Sequence, residues 1–124
     1  MALLALALLA LLASGCGGKT SYSADKTRSC LVARGAHVGG PLDFVASTAT
    51  GGAFAAGLGD NSVKLVFGRT SGDAEQIQAA YERFASSNVR SGLADVLRRY
   101  NNVVTLWHAH PEDADLSLVV GCLR

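Results

Sequence analysis

The chain has 124 residues, with eleven lysines and arginines against ten aspartates and glutamates, so its net charge at neutral pH is +1. A near-neutral chain without a basic stripe is not an electrostatic nucleic-acid binder. Its length leaves room for one compact domain but hardly for two. The sequence opens on an uncharged run, leucine and alanine alone from Ala2 to Ala13, followed by the small residues Ser14 and Gly15. That run falls short of the about 20 apolar residues that span a bilayer core, and it has no polar face to make an amphipathic helix. Its length and composition are those of a secretory h-region with a small-residue cleavage site, so residues 1–15 are expected to be a signal peptide that is removed.

The stretch Ala13-Ser14-Gly15-Cys16 resembles the lipobox of bacterial lipoprotein precursors. The resemblance reaches as far as Cys16 and says nothing of the domain beyond it. It departs from the family in carrying Ala13 where leucine usually stands, and in having no basic residue before the apolar run. It implies that Cys16 receives a diacylglycerol through its sulfur and becomes the first residue of the mature chain. Each buried methylene contributes about 0.8 kcal/mol, so two or three acyl chains make a stable anchor where one does not. The implied partner is a membrane, and the implied location is the extracytoplasmic side of the cell membrane or the outer membrane. Gly17, rather than aspartate, after the cysteine resembles the outer-membrane sorting pattern. The alternative is an ordinary secretory leader cut near Ala13-Ser14-Gly15, which releases a small secreted globular protein.

Residues 16–29 include GGKTSYSADKTRS, small, polar and charged without an apolar period, and are expected to be a flexible tether. The single folded domain then covers residues 30–124. With Cys16 assigned to lipid, Cys30 and Cys122 remain, and in an oxidising compartment they are expected to form a disulfide. Closing so long a loop contributes about 4 to 5 kcal/mol by the chain-entropy argument. Cys30 to Gly35 reads as a short helical turn that ends with Gly35 in a left-handed conformation. Ala36 to Val38 extends until Gly39-Gly40-Pro41 breaks the chain, and Leu42 to Gly52 has the composition of a loop.

A hairpin follows. Phe54, Ala56 and Leu58 alternate on one strand and Val63, Leu65 and Phe67 on the other, with Gly59-Asp60-Asn61-Ser62 as the turn and Lys64 pointing to solvent. Asp73 and Gln76 have capping-box spacing at the start of a helix, and its Ile77, Ala80, Tyr81 and Phe84 form an apolar stripe expected to lie in the core. Val89 to Tyr100 is ambiguous. Leu93, Val96, Leu97 and Tyr100 fit a helical stripe, whereas Val96 to Tyr100, Asn101-Asn102 and Val103 to Trp107 fit a second hairpin. The hairpin is favoured, because asparagine tolerates positive φ and Val103 to Trp107 is β-prone. Pro111-Glu112-Asp113 opens the last helix, with Leu116, Val119, Val120 and Leu123 on its apolar face. The order of elements predicts an α+β, two-layer domain with a four-stranded antiparallel sheet packed against helices.

The one cluster with chemical promise is His108-Ala109-His110-Pro111-Glu112-Asp113. Were the strand to continue through it, His108 and His110 would share a face, and imidazole with carboxylate suits a divalent ion. No third ligand is fixed by spacing, so neither a metal site nor a cofactor is expected, and an envelope metal-binding protein using His108 and His110 stands as the alternative. There is no Gly-x-Ser-x-Gly elbow and no phosphate loop with its lysine, and no catalytic residue is assigned. The expected protein is a membrane-anchored lipoprotein whose non-enzymatic domain binds an envelope protein or small ligand, or serves a structural role.

Overall fold

The computed structural model describes residues 21–124. The expected signal peptide, Cys16 and the first residues of the expected tether lie outside the described residues. In chain order the elements are α1 (Ala24–Ala33), β1 (His37–Val38), α2 (Phe44–Ser47), β2 (Ala53–Leu58), β3 (Asn61–Phe67), α3 (Ser71–Phe84), α4 (Ser87–Val96), β4 (Leu97–Tyr100), β5 (Val103–Trp107) and α5 (Asp113–Cys122). Among the described residues the strands form one five-stranded antiparallel sheet in the order β1-β2-β3-β5-β4.

Alternation along β2 and β3 sends Phe54, Ala56, Leu58, Val63, Leu65 and Phe67 to one face, as expected. There they meet Leu31 of α1 and Val119 and Cys122 of α5, and the Phe54 and Phe67 rings stack with centroids 5.9 Å apart. The opposite face carries Val66 and Val104, which are covered by Ala46 of α2, Ala74 and Tyr81 of α3 and Leu93 of α4. The α+β class holds, but two finer expectations are corrected. The sheet has five strands rather than four, and helices cover both faces, giving three layers. Strand β1 has only two residues, too few to show a period, and β5 is apolar on both faces except at the buried Thr105, as suits a strand covered on both sides.

The expected tether is corrected over its last residues. The Ser23 hydroxyl caps α1 by accepting from the Lys26 N–H, and the helix runs from Ala24. Only Thr27 and Leu31, four residues apart, are buried, so a mostly exposed helix has the composition of a linker. The Cys30–Cys122 disulfide joins α1 to α5 across a Cα separation of 5.4 Å. Gly35, at φ +91°, ends the helical segment as expected.

The start of α3 also differs in detail. Thr70 is the cap, accepting from the Asp73 N–H, while the Asp73 carboxylate accepts from the Arg69 N–H at 2.9 Å and the Thr50 hydroxyl at 3.2 Å. Those bonds, led by the Arg69 N–H, hold its carboxyl below the usual range against a smaller opposing desolvation. In the ambiguous stretch both patterns are used in turn: α4 ends at Val96, β4 begins at Leu97, and Asn101 takes φ +51° in the turn to β5.

Candidate functional site

The register explains why one end of the α2–α4 face stays open. Ala53, Val66 and Val104 lie opposite one another, and Val66 and Val104 are fully buried. The next row is Ala55, Lys64 and Leu106, and the one after it is Gly57 and Ser62, with the His108 N–H donating to the Ser62 carbonyl at 2.9 Å. Apart from Leu106 and Lys64, these rows offer the helices only alanine, glycine and serine. The result is a groove of about 920 Å³, within the size range of small-molecule sites. Phe44 of α2 stands on one wall, and Phe84, Val89 and Leu93 of α3 and α4 stand on the other. Phe44, Phe84 and Val89 are 76%, 68% and 54% exposed, an unusual concentration of large apolar side chains in water.

A polar cluster sits within this apolar frame. Asp43 caps α2 by accepting from the Ala46 N–H at 2.8 Å. Its carboxylate also accepts from the Lys64 ammonium, and the Tyr81 hydroxyl donates to both of its oxygens at 3.0 and 3.1 Å. The ammonium lies 5.9 Å from the Tyr81 ring centroid. Burial works against ionising Asp43, but the bonds from Lys64, Ala46 and Tyr81 together outweigh it and hold the carboxyl below its ordinary value. Burial, reinforced by the negative charge of Asp43, pushes the Tyr81 phenol up. Asp43 therefore stays ionised and Tyr81 stays protonated across the neutral range.

The cluster gives the groove a definite chemistry. Asp43 has its acceptor capacity taken up by three donors. Lys64 carries three N–H groups, and among the described residues it gives one, to Asp43. The lysine side chain is 29% exposed and lines the groove, so what the site offers a ligand is hydrogen-bond donation within an apolar trough.

The sequence-predicted candidates fall elsewhere or at its edge. Cys16 lies outside the described residues, and Cys30 and Cys122 are consumed by their disulfide on the far side of the sheet. Strand β5 stops at Trp107, so His108 and His110 are not consecutive same-face residues of one strand. His108 borders the groove beside Ser62, whereas His110 Nδ1 lies 2.6 Å from Asp95 Oδ1. Among the described residues no group of three or more His, Cys, Asp or Glu is placed to hold a metal ion.

Lys64 does not point to free solvent but reaches across to Asp43. Phe84 is a wall of the groove rather than core, and of the expected stripe only Tyr81 is buried. Asp43 lay within a segment with loop composition, and its signal was local: an aspartate directly before Phe-Val-Ala is a helix cap. No protein-family model, curated protein or solved structure matches the chain. Function is therefore argued from the groove and from the N-terminal motif.

Proposed function

We propose that this chain is a bacterial lipoprotein, held on the extracytoplasmic side of a membrane by acyl groups on Cys16, whose domain is a non-enzymatic binding module that uses the groove. The observation that carries the export half is the Cys30–Cys122 disulfide, because such bonds persist in oxidising compartments and are rare in the cytosol. The Ala13-Ser14-Gly15-Cys16 motif supplies the anchor. The groove supports binding, since its aspartate and tyrosine are each fixed in one protonation state and neither suits proton transfer near neutral pH.

The described chain meets the sheet at one end and the groove lies at the other. The Ser21 hydroxyl donates to the Arg69 carbonyl and the Tyr22 N–H to Asn102 Oδ1, so the chain enters at the end of the sheet where β3 finishes. The groove opens over the other end, at Gly57, Ser62 and His108. From Ser62 to Gly68 along an extended strand is roughly 20 Å.

Labelling cells with a radioactive fatty acid tests the anchor. The native chain takes up label and sediments with membranes, and Cys16→Ser takes up none and keeps its leader. A labelled Cys16→Ser chain overturns the proposal.

A further inference from the structure

We infer that the groove takes an uncharged single-chain amphiphile, with its acyl chain lying over Ala55 and Gly57 and an ester, amide or hydroxyl oxygen of its head group accepting from the Lys64 ammonium. The inference rests on the groove being the binding site. The walls at Phe44, Val89 and Leu93 and the small floor residues call for hydrocarbon. A bare hydrocarbon, however, would strip water from the two N–H groups that Lys64 does not give to Asp43, and leaving buried donors unpaired is unfavourable. The occupant must bring an acceptor.

Charge then narrows the class. Asp43 already offsets Lys64, so a carboxylate or phosphate head would place a second negative charge beside Asp43 with no second lysine or arginine among the described lining residues to balance it. A cationic head fares no better, because the Asp43 oxygens are occupied by Lys64, Tyr81 and the Ala46 N–H. A neutral oxygen acceptor satisfies Lys64 without adding charge. A partner's amphipathic helix is disfavoured by the same reasoning. Its carbonyls are spent on its own hydrogen bonds, and its apolar face would cover Lys64 without an acceptor. The acyl groups proposed on Cys16 are taken up by the bilayer as the anchor, so the occupant is a free molecule.

The test uses the mature chain carrying Cys16→Ser, so that no acyl group of its own competes, and titrates monolaurin and laurate by calorimetry. Monolaurin is expected to bind at one site, at least tenfold more tightly than laurate. Gly57→Val should abolish that binding while the circular dichroism stays native, since a Cβ there meets only His37 at 3.7 and 3.8 Å and fits the backbone. Lys64→Met should weaken monolaurin roughly tenfold, as for loss of a bond to a charged donor. Should Lys64→Met fail to fold, the monolaurin-to-laurate ratio and Gly57→Val decide alone. Laurate binding as tightly as monolaurin, or monolaurin binding unchanged in Gly57→Val, overturns the inference. If monolaurin does not bind but 8-anilinonaphthalene-1-sulfonate does, and Gly57→Val removes it, the amphiphile is wrong and the binding module stands. If neither binds, the module fails as well, and the Cys16 labelling result is untouched.

Discussion

The two faces of the sheet solve the same packing problem to different degrees. On the α1/α5 face, Leu31, Leu65, Phe67 and Val119 are completely buried, and a disulfide ties the two covering helices together. On the α2–α4 face, only Val66, Val104 and Ala74 are completely buried. Beyond them the groove lies over Ala55 and Gly57, with the Asp43–Lys64 ion pair among its lining residues. Of their large apolar side chains, the helices of the first face leave only valines in water, Val32 and the Val120 that was expected on the apolar face of α5, while the other face leaves the larger rings of Phe44 and Phe84 there. Exposed large apolar groups beside a groove are what a binding surface needs and what a purely structural face avoids.

The largest expected effect lies on the closed face. Removing the Cys30–Cys122 link, by reduction or by Cys30→Ala with Cys122→Ala, should lower stability by about 4 kcal/mol, seen as a fall in the urea midpoint. Leu31→Ala should follow at about 3 kcal/mol, because the site is fully buried and tied between two helices, so the cavity cannot easily collapse. A loss under about 1 kcal/mol at Leu31 would erase the contrast between the faces.

Legibility in the sequence follows the same divide. The β2–β3 hairpin was readable because its alternation is simple, with Phe54, Ala56 and Leu58 directed to one dense core. The α5 helix and the Cys30–Cys122 pairing belong to that face too. The start of helix α1 was hidden because it buries little more than Thr27 and Leu31, and β1 was legible as an extended stretch but not as a fifth strand, because two residues carry no period. On the other face the stripe of α3 was visible, but which member reaches the core was not. Tyr81 and Phe84 are both aromatic members of the stripe, and only the tertiary structure, which sets Tyr81 against Asp43 and leaves Phe84 at the groove, distinguishes them. The Asp43–Lys64–Tyr81 cluster joins residues 21 and 38 positions apart in the chain, separations at which no local spacing rule operates.

A smaller effect is expected at the ion pair, and its pH dependence sharpens the comparison. Asp43→Asn can still cap α2, so it should lose only about 1 kcal/mol at pH 7, the scale of a partly exposed pair. The native Asp43 carboxyl lies below its unfolded value of about 3.9. Its unfolded form therefore takes up protons first as pH falls. The advantage of aspartate over asparagine should be constant above about pH 5 and shrink as pH drops through the folded value beneath 3.9. Tyr81 runs the other way. With its folded value raised above about 10, its contribution is complete below that pH and declines above it. Urea midpoints across both limbs measure each slope, and a native-minus-Asn difference that grows towards pH 3 would contradict the arrangement.

The smallest effect is expected where the largest side chains are exposed. Phe84→Ser removes an aromatic ring from α3, which in a core would cost about 3 to 5 kcal/mol. At 68% exposure the ring has little burial to lose, and the change should stay within about 0.5 kcal/mol. The same holds for Phe44→Ser at the N-terminus of α2, where Asp43 rather than the ring anchors the turn. Neither ring is then maintained by the fold, and what they contribute must appear when the groove is filled. Monolaurin affinity should drop in both variants while the urea midpoint hardly moves. A midpoint shift of 2 kcal/mol or more with unchanged affinity would instead make these rings part of the packing and the groove a gap between helices.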